Sequence, residues 1–294
     1  MSEEREQRNQ VFAATAPPGQ HHDVDPRIPT TTQQAVVRSD FGLEVPIETI
    51  PLPSAGKAYP VGHVLHGKEM IEIKAMTARE EDILTSAAYL KKGTVITELI
   101  RSCIVDKRVD PNELLTGDRH ALMVAIRITG YGPEYDVEVE CNECNAKTQR
   151  QFNLGELPLK RLEIDPVTPG TNLFEFRLPH TKKNVKFRFL TGRDEEEIQA
   201  TAARQKKLNL QGEAIVTTNL LYSIVSIEGV EDRQKIAGFI RMMPARDSLA
   251  LRNYIRDSEP GISMRQEVTC GACGHSEEVS MPIGVTFLWP SAGR

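Results

Sequence analysis

The chain has 294 residues, of which 39% are apolar, 26% charged and 5% aromatic, with a formal net charge of −5. That balance supports a buried core in one large or two ordinary domains. It argues against a dedicated nucleic-acid binder, whose phosphate contacts need a basic excess. No run of roughly 18 apolar residues is present to cross a bilayer, and the opening MSEEREQRNQ lacks an apolar signal core, so the expectation is a protein made in a cytoplasm and not exported.

Taken in chain order, residues 1–45 contain APPGQHHDVDP and TTTQQ with little apolar content, which reads as a flexible N-terminal arm. His21 and His22 fall within it and are read as incidental. The segment IPLPSAGKAYP is proline-rich and either docks along an adjacent chain or wraps its own domain. Met70, Ile71, Ile73 and Ala75 then predict a strand, and Thr77 followed by Glu80 is a capping-box signature opening a helix. Asp118 is placed as the cap of a further helix that buries Leu122, Ala125 and Ile126 along one side and ends at Gly130.

The order then repeats. Val185, Phe187 and Phe189 alternate, and Thr191 stands before Asp194, 114 residues beyond Thr77 and Glu80. Leu99-Ile-Arg-Ser-Cys-Ile-Val aligns with Leu220-Leu-Tyr-Ser-Ile-Val-Ser, and the ten residues from Asp118 share five identities with those from Asp247. Such self-similarity is the signature of an internal duplication. The expected fold is therefore α+β: tandem-duplicated helical lobes, each carrying a small antiparallel hairpin. The first lobe spans 46–156 and the second 171–294. A linker at 157–170 is marked by Pro158, Pro166, Pro169 and Gly170.

Four of the five cysteines form two CxxC pairs, Cys141/Cys144 and Cys270/Cys273, at equivalent places in the two copies. Both pairs lie between strands, as zinc knuckles do, with Asn145 and Gly274 suited to the tight turn. The 125 residues between the pairs far exceed the usual zinc-ribbon spacing of roughly 15–20. Duplication overcomes that distance by bringing equivalent loops together, so Zn²⁺ held by Cys141, Cys144, Cys270 and Cys273 is expected. Alternatives are a redox dithiol, metal-free packed cysteines, or His275 replacing one sulfur. Four thiolates close the coordination shell, which makes the site structural. Cys103, on an apolar helical face, reads as a buried packing residue.

No phosphate-binding loop, dinucleotide fingerprint, nucleophile elbow or zincin helix occurs, and no nucleophile has an orienting base. No catalytic or cofactor-binding residues are expected, and the chain is read as no enzyme. The acidic runs at Glu80–Asp82 and Asp194–Glu197 are read as first helical turns, where negative charge suits the helix dipole.

The pieces IPLPSAGKAYPVG, IEIKAMTAREEDIL, LIRSCI and LLTGDRHALMVAIRITGYGPEYDVEVECNEC together resemble the baseplate hub subunit family of T4-like, contractile-tailed bacteriophages. The likeness covers roughly residues 48 to 290, and the run from Leu114 to Cys144 is its most specific part. It implies a non-enzymatic structural component of the phage tail baseplate in the virion, bridging other baseplate, hub and tail proteins and assembled in the host cytoplasm. It implies no small-molecule substrate and no membrane. A tail-assembly chaperone absent from the mature particle is the alternative. A zinc-ribbon nucleic-acid binder is a further one, and it would require Lys147, Arg150, Lys160 and Arg161 to form a basic surface.

Overall fold

A computed structural model describes residues 36–38, 44–207, 215–281 and 283–288. Most of the expected arm, with His21 and His22, lies outside the described residues. Strands β1 (Val36–Arg38), β2 (Glu44–Pro51) and β3 (Met70–Lys74) form an antiparallel sheet in that order. The alternation of β3 works as expected: Ile71 and Ile73 are buried while Glu72 between them faces out. The chain between β2 and β3 packs on its own domain, burying Leu52, Ser54, Ala58 and Tyr59 and leaving Pro60 to Gly62 exposed. The proline-rich segment is thus mostly internal.

Helix α1 (Ala78–Thr85) starts at the expected box. The Glu80 carboxylate accepts the Thr77 N–H at 2.9 Å and its hydroxyl at 2.5 Å, and pairs with Lys74 at 2.7 Å. Glu80 is in the first turn, as read, but it is also fully buried. Helices α2 (Ala87–Lys92) and α3 (Val95–Cys103) follow, and Cys103 is buried as expected.

The long helix α4 (Thr116–Tyr131) departs from its expected form. Eleven of its residues are buried, on every side, so no single apolar stripe describes it. Its ends also shift: Leu115 occupies the cap, and Gly132 with φ 86° terminates it in place of Gly130. Asp118 does not cap the helix. Its carboxylate reaches back to the β2–β3 connection, accepting from Ser54 N (2.9 Å), Ser54 Oγ (2.6 Å) and Tyr59 Oη (2.7 Å).

The second half also holds a three-stranded sheet and four helices. Strands β7 (Phe174–Arg177), β8 (Asn184–Phe187) and β9 (Ile224–Ile227) form a sheet in that order. Helices α5 (Gly192–Lys207), α6 (Ile215–Ser223), α7 (Arg233–Met242) and α8 (Ala245–Ser258) complete this half, with β9 between α6 and α7. Asp194 accepts the Thr191 N–H and hydroxyl, both at 2.8 Å, and pairs with Arg188 at 2.6 Å, repeating Lys74, Thr77 and Glu80 residue for residue. Asp247, aligned with Asp118, accepts His180 N at 2.7 Å and Thr181 N at 3.0 Å. Each aspartate thus holds the backbone just after a Leu-Pro pair, Leu52-Pro53 or Leu178-Pro179, which sequence comparison had not aligned.

The halves meet through backbone as well as side chains. Thr116 N donates to Leu190 O (2.9 Å), Gly192 N to Leu114 O (3.0 Å) and Arg193 N to Asn112 O (3.0 Å). Within the 157–170 stretch, β6 (Leu159–Lys160) pairs with β10 (Gly261–Ile262), and Leu157, Leu159 and Leu162 are buried. Gly117 lets β10 cross close over α4, since a Cβ there would stand 1.7 Å from Pro260 O. One hydrophobic cluster runs through both halves, closed by Phe287 and Leu288 of the short helix α9 (Val285–Leu288).

Candidate metal centre

Two hairpins present the cysteines. Strands β4 (Glu134–Glu140) and β5 (Lys147–Asn153) flank Cys141 and Cys144, while β11 (Arg265–Thr269) and β12 (Ser276–Ser280) flank Cys270 and Cys273. Each turn closes the same way. Cys141 N donates to Ala146 O at 3.0 Å and Asn145 N to Cys141 O at 2.8 Å; Cys270 N donates to His275 O at 2.7 Å and Gly274 N to Cys270 O at 2.9 Å. The turn needs a left-handed residue, supplied by Asn145 (φ 56°) and Gly274 (φ 75°). Asparagine and glycine reach that region at least steric cost.

The four sulfurs converge. All lie within 4.8 Å of one another, with Cys141 Sγ and Cys144 Sγ each 3.7 Å from a partner sulfur, Cys273 and Cys270 respectively. A disulfide needs about 2.05 Å, and all are free thiols. A tetrahedral ion bound at about 2.3 Å spaces its sulfurs about 3.8 Å apart. The cluster has the dimensions of such a site, and it can hold a metal. One cysteine of each pair, Cys141 and Cys270, is buried; Cys144 and Cys273 are exposed. His275 is exposed and not part of the cluster.

The electrostatics favour a cation. Amides of Cys273 and Ala272 hydrogen-bond the Cys270 sulfur and bring its thiol down to about 6. Cys273, although the His275 amide favours its thiolate, is pushed up to about 12 by Cys144 and its other neighbours. Without a counter-ion, one thiolate opposes the next. A divalent ion would relieve that opposition and hold all four deprotonated.

Around the sulfurs, the hairpins are tied by polar contacts that sequence reading missed. Asn142 N donates to Glu277 Oε1 at 3.1 Å and its side-chain amide bonds the same carboxylate. Arg150 Nη2 donates to Thr269 O at 2.6 Å. The basic residues considered for nucleic acid are largely engaged: Lys147 pairs with Glu138 at 3.2 Å, Arg150 with Thr269, and Lys160 donates to Arg256 O at 2.7 Å. No helix among the described residues is long and apolar enough to cross a membrane.

The described residues form a mixed helix-and-sheet body with small antiparallel hairpins, two of which bring four cysteines together. The family model of the T4 bacteriophage base plate protein matches residues 52–289, and the chain belongs to that family. It is accordingly a structural component of a phage baseplate, a setting in which it meets other phage proteins. No curated protein and no solved structure matches it.

Proposed function

We propose that this protein is a hub subunit of a contractile-tail baseplate, non-enzymatic and retained in the virion, bridging neighbouring baseplate and tail proteins after assembly in the host cytoplasm. Its two lobes, 46–156 and 171–294 with 157–170 between them, arose by tandem duplication and share one structural Zn²⁺ on Cys141, Cys144, Cys270 and Cys273. The match over residues 52–289 carries the baseplate reading. The convergence of the four sulfurs carries the zinc reading. Duplication is supported by the paired contacts of Lys74-Thr77-Glu80 and Arg188-Thr191-Asp194, and of Asp118 and Asp247.

The test of placement is mass spectrometry of purified mature particles. The full-length chain is expected at a fixed copy number per tail; its complete absence would transfer the reading to an assembly factor that leaves before maturation. The test of the metal is elemental analysis of the purified protein. One zinc per chain is expected, and a well-folded zinc-free sample would remove it.

A further inference from the structure

The corner between α7 and α8 and the outer face of α8 carry an uncovered row of arginines. Arg241, Arg246, Arg252 and Arg256 are all exposed, interleaved with Met242 at 86% and Leu249 at 51% exposure. Arg256 pairs with Asp257 at 2.9 Å. Arg241, Arg246 and Arg252 have no carboxylate partner among the described residues, and Arg252 Nε reaches only Ser248 O. The aligned positions of α4 are different in kind. Met123 and Arg127, which match Arg252 and Arg256, are 4% and 3% exposed. That comparison rests on the duplication proposed above; the arginine row itself does not.

A complementary row lies on the first knuckle hairpin. Glu134, Asp136, Glu138 and Glu140 occupy alternate positions of β4, so all four project from one face, and all are exposed. Their cross-strand neighbours on β5 are Asn153, Gln151, Gln149 and Lys147, a ladder with one cation, which is engaged with Glu138. The strand row extends about 20 Å and the stretch of α8 from Arg246 to Arg256 about 15 Å, so the two are commensurate. Arginine forks suit carboxylates bidentately, and Met and Arg beside a polar ladder match the composition of association surfaces.

We infer that the arginine face of α7–α8 docks onto the acidic outer face of β4 in a second copy of this chain. The two surfaces differ, so the contact is heterologous: each copy offers one donor face and one acceptor face, and copies associate head to tail. The net charge of −5 and an acidic row matched by a single cation, Lys147, favour a second copy over nucleic acid as the occupant.

The test is sedimentation velocity on full-length, zinc-loaded protein. The wild type should associate at low ionic strength and dissociate as salt screens the contact. Arg246→Glu/Arg252→Glu and, separately, Asp136→Lys/Glu140→Lys should each weaken self-association by roughly tenfold or more. Mixed together, the two variants pair the unchanged arginine face of one with the unchanged acidic face of the other, and their two reversed faces are complementary as well, so the mixture should regain the association that neither variant shows alone. That mixture also proves both variants folded. A wild type monomeric at all salt concentrations overturns the inference, as does association unchanged by either double reversal, or a mixture that does not pair. Loss of association on reversing the arginines but not the β4 carboxylates also overturns it. So does a salt-sensitive shift of single- or double-stranded nucleic acid abolished by the arginine reversal, in the absence of self-association.

Discussion

Buried carboxylates organise each half of this chain at the residue scale, and their surroundings decide what each does with pH. Burial alone would raise the Glu80 carboxyl, but hydrogen bonds from Lys74, Ser102 and Thr77 outweigh it and hold the group at about 2. A depressed acid contributes stability above its unfolded value, near 4.5, and loses it as pH falls toward 2. Replacing Glu80 with Ala should cost about 2–3 kcal/mol at neutral pH, since Thr77 loses its cap and Lys74 its partner. The acid limb of the stability curve should flatten with it. A variant as stable as wild type in urea would show that Lys74 finds water instead. Glu259 is the opposite case. Desolvation and then Glu195 push it up to about 7, against the pull of Lys160. A raised acid favours folding below its unfolded value and opposes it as pH rises through 7. Glu259→Gln should therefore raise thermal stability at pH 8, by on the order of 1 kcal/mol because the side chain is partly exposed, and leave it little changed at pH 5. Equal effects at both pH values in a melting series would contradict that assignment.

The elements legible in the sequence were those specified by near neighbours. The strand at Met70, the boxes at Thr77 and Thr191, and the CxxC turns with Asn145 and Gly274 each lie within about ten residues of what determines them. Helix α4 was misread because its environment comes from afar. Its stripe of Leu122, Ala125 and Ile126 is real, yet β10 and α9, over a hundred residues later, cover other sides of the helix. Asp118 was misread for a related reason. In sequence it resembles a cap, whereas in space its oxygens are taken by Ser54 and Tyr59. Gly117 marks the tightest of these remote contacts. Gly117→Ala places a methyl 1.7 Å from the Pro260 carbonyl, a backbone atom that cannot rotate away. Despite the higher helix propensity of alanine, this change should destabilise by about 2 kcal/mol or more. Chemical denaturation gives the comparison, and a stabilised alanine variant would mean that β10 does not lie on α4.

For the whole molecule the question is what a metal on the four cysteines would hold together. If the halves met only at the thiols, removing the ion would free two independent lobes. The hydrogen bonds from Thr116, Gly192 and Arg193, the β6–β10 pair and the shared hydrophobic cluster argue otherwise. Structural zinc is worth on the order of 10 kcal/mol in small peptides that have no other core. Here its effect should concentrate on the hairpins, whose outward faces are exposed and whose inner faces bury little besides Val139 and Val268. Cys270→Ser removes one ligand and should open both hairpins together, because Asn142–Glu277 and Arg150–Thr269 depend on the same alignment. Limited trypsin digestion should then cut near Lys147 and Arg265 in one phase while the body from β2 to α8 resists, and chelation of the wild type should give the same pattern. Cleavage confined to the second hairpin would mean that the first hairpin stands without the shared ion, and would separate the two knuckles into independent units.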